Sequence, residues 1–248
     1  MANIQHLELL KQGAVKWIEW RLKHPEIELD LTEAALRGAN LRGAQLQGVN
    51  LRRADLGNSK LIAANLTAAN LSLANLSDAV LVEACLNSAN LTGTYLINAL
   101  LHDSDLTNAN LIGADLSEAN LTSADLTGAH LVGASLRKAM LREAHLGGAN
   151  LANASLQSAE FINAYLYKVN FQKANLSEAY LTGANLFKAN LAEADLTGTD
   201  LRSCNLSYAN LKGANLKDAK LRGANLKGTN LTGANLAGAS MSDELFYE

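Results

Sequence analysis

From Leu31 to Leu236 every fifth residue is leucine, replaced only at Phe161 and Phe171, so 42 apolar centres follow one another without an insertion. Met241 extends the series by one step. With the centre written i, position i−2 is alanine in 34 of 42 repeats between Ala34 and Ala239. Its exceptions are small or β-branched: Val49, Ser59, Thr94, Ser104, Val169, Thr199, Cys204 and Thr229. Position i−1 is Asn or Asp in 25 of the same 42 repeats, and 15 of the 18 glycines fall at i+2, as at Gly38, Gly43 and Gly48.

A period of five fits neither the 3.6 of a helix nor the 2.0 of a flat strand. A short extended piece followed by a corner accounts for it. In the extended piece i−2 and i share one face and i−1 and i+1 the other. The pattern therefore predicts Ala and Leu facing an interior, Asn, Asp and the i+1 residues facing water, and a corner at i+2. Glycine suits that corner because it tolerates positive φ. The i−1 column sets the size of the turn. Taking every fourth repeat gives Asn50, Asn70, Asn90, Asn110, His130, Asn150, Asn170, Asn190, Asn210 and Asn230, nine asparagines in ten, against ten among the other 32 positions. A 20-residue period thus lies on the five-residue one, and four pentapeptides make one square coil. Stacked at about 4.8 Å, ten and a half coils make a rod roughly 50 Å long, along which the asparagines can form a hydrogen-bonded ladder.

Ala39-Asn40-Leu41-Arg42-Gly43 and Ala114-Asp115-Leu116-Ser117-Glu118 match A(D/N)LXX, the motif of the pentapeptide-repeat family. The chain resembles that family over residues 29–242, and its opening Trp17-Ile18-Glu19-Trp20-Arg21 resembles cyanobacterial members. The resemblance implies an all-β solenoid, a right-handed quadrilateral β-helix.

Three parts are expected: an N-terminal helical cap over 1–28, the repeat β-helix over 29–241, and a short C-terminal cap or tail over 242–248. Ile4, Leu7, Leu10, Val15, Ile18 and Leu22 recur near helical spacing until Pro25, which predicts an amphipathic helix covering the first coil's apolar section and unpaired edges. Leu245 and Phe246 are expected to shield the last coil, or to meet a second molecule there. Phe161 and Phe171, two repeats apart, lie on opposite walls of one coil and are expected to meet near its axis.

Chemistry is hard to place on such a chain. The five histidines form no cluster, whereas metal ligation needs convergent ligands. Asp and Glu are spread over an outside without a pocket, and catalysis needs a cleft. Cys204 points inward and Cys85 outward six coils away, too far for a bridge. No catalytic residue, metal, cofactor or small-molecule substrate is expected. With 21 Lys and Arg against 24 Asp and Glu, the surface lacks the basic field that nucleic-acid binding calls for. It equally lacks the strongly acidic surface by which some family relatives copy DNA to bind gyrase. No run approaches the ~18 apolar residues of a membrane span. The first residues lack a basic stretch before an apolar one, and there are two cysteines, so a cytoplasmic protein is expected.

Functional signal is left to the outward faces. The face centred on Leu41, Leu61 and Leu81 departs from Asn and Asp at i−1, with Val80, Leu100, Met140 and Tyr180, and adds Val82 at i+1. The next face carries Tyr165, Tyr167 and Phe187, with Lys168, Lys188 and Tyr208 at its corner. Tyr167 and Phe187 are 20 residues apart and are expected to stack on adjacent coils. Exposed apolar and aromatic residues on adjoining faces suggest a docking surface for a protein partner. Flat β surfaces also favour such residues for packing alone. The sequence thus points to a non-enzymatic interaction scaffold, with regulation as its setting, acting as a monomer or a weak end-to-end dimer. A gyrase-binding DNA mimic and a plain structural spacer are the alternatives.

Overall fold

The computed structural model describes residues 3–241. Two helices open it, α1 over Ile4–Lys11 and α2 over Ala14–Lys23. From Asp30 onward the chain is held by single-residue parallel bridges, each between residues 20 apart: Asp30 with Asn50, Ala35 with Asp55, Asn40 with Lys60, Gln45 with Asn65, and so on to Lys220 with Ser240. Four bridging residues therefore mark each 20-residue coil, and they occupy position i−1 of the repeat. Among the described residues the ladder holds isolated bridges and no extended strand, because a two-residue turn follows each centre.

The backbone bonds show why five residues suffice for one side. Leu41 N–H donates to the Lys60 carbonyl at 2.8 Å, Gly43 N–H to Ile62 at 2.9 Å, and Lys60 N–H to Ala39 at 2.9 Å. Ala44 N–H closes the turn onto the Leu41 carbonyl at 3.0 Å. Each turn has its third residue, i+2, at positive φ, from Glu33 at 61° to Gly238 at 73°. A positive φ at that place alone is the mark of a type II turn and explains the glycines found there. The other occupants include Asn, Asp, Ser, Ala, Glu and Lys but no Val, Ile or Thr, whose branched Cβ fits the left-handed region worst.

One amide per step, that of i+1, has no backbone partner, and the i−1 side chain supplies it. Thr67 N–H donates to Asn65 Oδ1 at 3.1 Å and Thr107 N–H to Asp105 Oδ1 at 2.9 Å. Every Asn or Asp at i−1 between Asp30 and Asn235 makes this bond. These are Asx turns, in which a short side chain satisfies the backbone two residues on. In the expected asparagine column the amide group also donates from coil to coil: Asn170 Nδ2 to Asn150 Oδ1 at 2.9 Å, Asn190 to Asn170 at 3.0 Å, Asn210 to Asn190 at 3.1 Å.

Inside, the centres and the i−2 residues form one continuous core; Leu111, Ala109 and Leu131 are fully buried. Polar i−2 residues satisfy themselves on core carbonyls, with Thr94 Oγ1 donating to Leu71 and Thr199 Oγ1 to Leu176, both at 2.8 Å. The buried hydroxyl of Ser59 has no such partner. Burial pushes the Cys204 thiol up to about 12.

The cap differs from the single helix expected. Gly13, at φ 103°, breaks it into two. Ile4, Val15 and Leu22, assigned to the covering face, are 69%, 70% and 77% exposed, whereas Leu10 and Trp17 are buried. The break rotates α2 relative to a continuous helix, so one spacing cannot hold across it. Trp17 Nε1 donates to the Gln45 carbonyl at 2.7 Å and Asn3 N–H to the Asp30 carbonyl at 3.0 Å, tying the cap to two sides of the first coil. The expected C-terminal cap, 242–248, lies outside the described residues.

Candidate protein-interaction surface

The candidate residues lie on the outside, but they divide into separate groups. Val80 and Leu100 bridge directly, and Leu100 is 39% exposed. Val82 lies beside them at i+1, half-buried. Met140 is cut off from Leu100 by Asn120, its own bridge partner, and from Tyr180 by Glu160. Glu160 is engaged by Arg142 at 2.7 Å. Tyr180, Tyr165, Tyr167 and Tyr208 are each about half exposed.

Within the second group the rings do not stack as the spacing suggests. Tyr167 folds back over Gly147 on the preceding coil, and a Cβ at Gly147 would run into its ring. Phe187 instead meets Tyr208 edge to face, centroids 5.9 Å apart, with Lys188 Nζ 5.1 Å from the Phe187 centroid. The bare backbone at Gly147 gives Tyr167 a flat seat that Phe187 does not offer. Tyr165 packs on His145 at 4.4 Å, and Lys168 is exposed next to Tyr167. Tyr95, Leu73 and Ile112 are also exposed, on the two remaining faces, and sequence reasoning passed over them.

The backbone beneath the candidates is altered as well. Val80, Leu100, Met140, Tyr165 and Tyr180 occupy the seat from which Asn or Asp otherwise caps the i+1 amide. The amides of Val82, His102, Arg142, Tyr167 and Thr182 consequently have no acceptor among the described residues. Sixteen of the 42 seats from 30 to 235 depart from Asn or Asp, each leaving its i+1 amide without an acceptor among the described residues, and these five are among them.

Elsewhere the surface is ordinary. Asp200, nearly buried, accepts from Arg202 Nη2 at 2.6 Å and Nε at 2.8 Å, and these bonds hold its carboxyl below the usual range. Among the described residues no three His, Cys, Asp or Glu side chains converge on a point where a metal could bind. No described helix is long and apolar enough to cross a membrane.

Two family models cover the ladder: one for pentapeptide repeats (8 copies), over residues 30–67, 59–96, 84–122 and 119–157, and one for a pentapeptide repeat region, over 154–231. The chain belongs to the pentapeptide repeat family. Among solved structures it is similar to HetL, a pentapeptide repeat protein involved in heterocyst differentiation regulation in the cyanobacterium Nostoc sp. strain PCC 7120. Identity is 37%, over 90% of this chain and 95% of that one, with a TM-score of 0.56. Another Nostoc pentapeptide repeat protein, alr5209, is 41% identical over 34% of this chain and 64% of its own, with a TM-score of 0.26. AT2G44920 from the Arabidopsis thaliana thylakoid lumen is 34% identical over 42% of this chain and 72% of its own, with a TM-score of 0.41. No curated protein matches the chain.

Proposed function

We propose that this pentapeptide repeat protein is a right-handed quadrilateral β-helix serving as a rigid, non-enzymatic scaffold for a protein partner in the cytoplasm, in a regulatory setting. The supporting observation is the coincidence at Leu100, Tyr165 and Tyr180 on two adjoining faces, which Tyr95 repeats alone on another face. Each replaces a capping Asn or Asp by an exposed apolar side chain and leaves an amide uncapped. That exchange lowers local stability by about one hydrogen bond while adding contact area of the kind that anchors interfaces. The regulatory setting rests on the likeness to HetL.

Tyr165, Tyr167, Lys168, Phe187, Lys188 and Tyr208 form the principal docking group, with Tyr180 at its border and Val80, Val82, Leu100 and Met140 as an extension. The organisation into a helical cap over 1–28, a β-helix over 29–241 and a tail over 242–248 belongs to the same reading. A pull-down from the source cell tests it, comparing the native chain with a Tyr167→Ser/Phe187→Ser variant. A partner captured by the native chain and lost by a folded variant is the expected result. Equal capture by both rejects this surface.

A further inference from the structure

α1 and α2 cover the first coil unevenly. They bond to its sides at Asp30 and Gln45; on the two sides between, Leu36 and Leu41 are buried but the backbone edge is left unpaired. The amides of Ala35 and Asn40 and the carbonyls of Ala35, Arg37, Asn40 and Arg42 have no partner among the described residues. Ala39 is partly exposed, whereas Ala64, at the same seat, is fully buried. A cavity of about 390 Å³ opens here. Its lining joins the apolar Leu10, Leu36, Ala39 and Leu41 to the exposed Lys11 and Arg42. Neither cation makes an ion pair among the described residues.

These features specify their occupant. Further along the rod, Lys60 N–H donates to Ala39 and Lys60 C=O accepts from Leu41. An extended strand in the cleft can serve the free Asn40 and Arg42 groups in the same way, as strand addition does at other sheet edges. It must also bring an apolar side chain for the apolar lining and carboxylates for Lys11 and Arg42. Residues 242–248, Ser-Asp-Glu-Leu-Phe-Tyr-Glu, carry all of these. Because Leu245 and Phe246 are adjacent, one of them faces inward whichever way a strand is rotated. Asp243, Glu244 and Glu248 flank them. Seven residues span at most about 24 Å. The ten coils between the last repeat and the cleft measure about 48 Å. The tail cannot reach its own cleft.

We propose that residues 242–248 of one molecule dock, as an added strand, in the cleft between the helical cap and first coil of a second copy. The contact is head to tail, so it repeats and builds linear chains. It does not depend on the docking surface proposed above.

Sedimentation velocity of the full chain over a concentration series tests this, alongside two full-chain variants, Leu245→Asp/Phe246→Asp in the tail and Lys11→Glu/Arg42→Glu at the cleft. The native chain is expected to show mass rising with concentration beyond a dimer. Each variant alone should associate at least tenfold more weakly. An equimolar mixture of the two should form dimers and stop there, since only one productive contact remains. Lys11 and Arg42 are exposed, and a thermal melt checks that both variants fold. Should the cleft variant misfold, the native chain in high salt probes the same charge contact, and its association is expected to be lost there. A native chain that stays monomeric, or association indifferent to either variant and to salt, overturns the proposal. So does a tail variant that lowers the melting temperature without changing mass, which would assign the tail to its own last coil.

Discussion

Phe161 meets Phe171 edge to face inside one coil, their centroids 5.9 Å apart and their planes at 77°. Both are fully buried, on opposite walls, and the small Ala159 and Ala164 leave room for the larger rings. Edge-to-face pairs contribute about 0.5–1.5 kcal/mol beyond burial. In denaturant unfolding, Phe161→Leu/Phe171→Leu should therefore cost less than the sum of the single changes, by about that amount. Additive losses would show that the ring contact contributes nothing.

Much of this architecture is legible in the chain because a repeat averages away local ambiguity. The Leu and Ala columns give the inward face, and the asparagine column gives the 20-residue return that the bridges show. Periodicity reveals which residue recurs but not which backbone group it serves, so the Asx turns went unread. The helical cap has no repeat behind it, and Gly13 was enough to divide it. The lean of Tyr167 onto Gly147 was also missed, yet it left a trace. Only Gly13, Gly57 and Gly147 fall outside the i+2 column, and Gly57 and Gly147 each lie under a large side chain, Arg37 and Tyr167.

Ala68 sits at a turn with φ 54°. A side chain in the left-handed region costs roughly 1–2 kcal/mol, and glycine's extra freedom in the unfolded chain returns about 0.4–1 of that. Ala68→Gly should stabilise by up to about 1 kcal/mol. Ala69→Gly, which removes a buried methyl at the neighbouring inward seat, should destabilise by at least as much. Chemical denaturation of both decides it, and equal signs would contradict the turn geometry.

Ser59 is fully buried with an unpaired hydroxyl, whereas Thr199 at the equivalent seat donates to Leu176 at 2.8 Å. Ser59→Ala should raise stability by about 1 kcal/mol, because an unpaired buried hydroxyl carries a desolvation penalty. Thr199→Val removes a made bond and should lower it. A loss in Ser59→Ala would mean that the hydroxyl finds a partner in solution.

Asp200 and Arg202 make stability depend on acid. Hydrogen bonds from Arg202 lower the Asp200 carboxyl below its ordinary value of 3.8. A depressed carboxylate contributes stability that is present above the unfolded value and lost as pH falls through the folded one. Asp30, lowered by the Thr32 hydroxyl, acts with the same sign. Arg202→Met should move the acid-unfolding midpoint to higher pH and leave stability at neutral pH less affected by salt. An unchanged midpoint would show that the pair, whose arginine is half-exposed, is screened in both states.

The sharpest test of the surface reverses the usual effect of mutation. Leu100 and Tyr180 sit where Asn would cap the amides of His102 and Thr182. Leu100→Asn and Tyr180→Asn should each restore an Asx turn and stabilise by about 0.5–1.5 kcal/mol. Asn110→Ala serves as the converse, since it strips the acceptor at 3.2 Å from the Ile112 amide and should cost a similar amount. An ordinary structural residue would lose stability and binding together. Here the two should separate, with melting temperature rising while affinity for the captured partner falls. If Leu100→Asn and Tyr180→Asn destabilise, the apolar side chains are there for packing. If they stabilise and the partner binds as before, the exposed residues on this face play no part in docking.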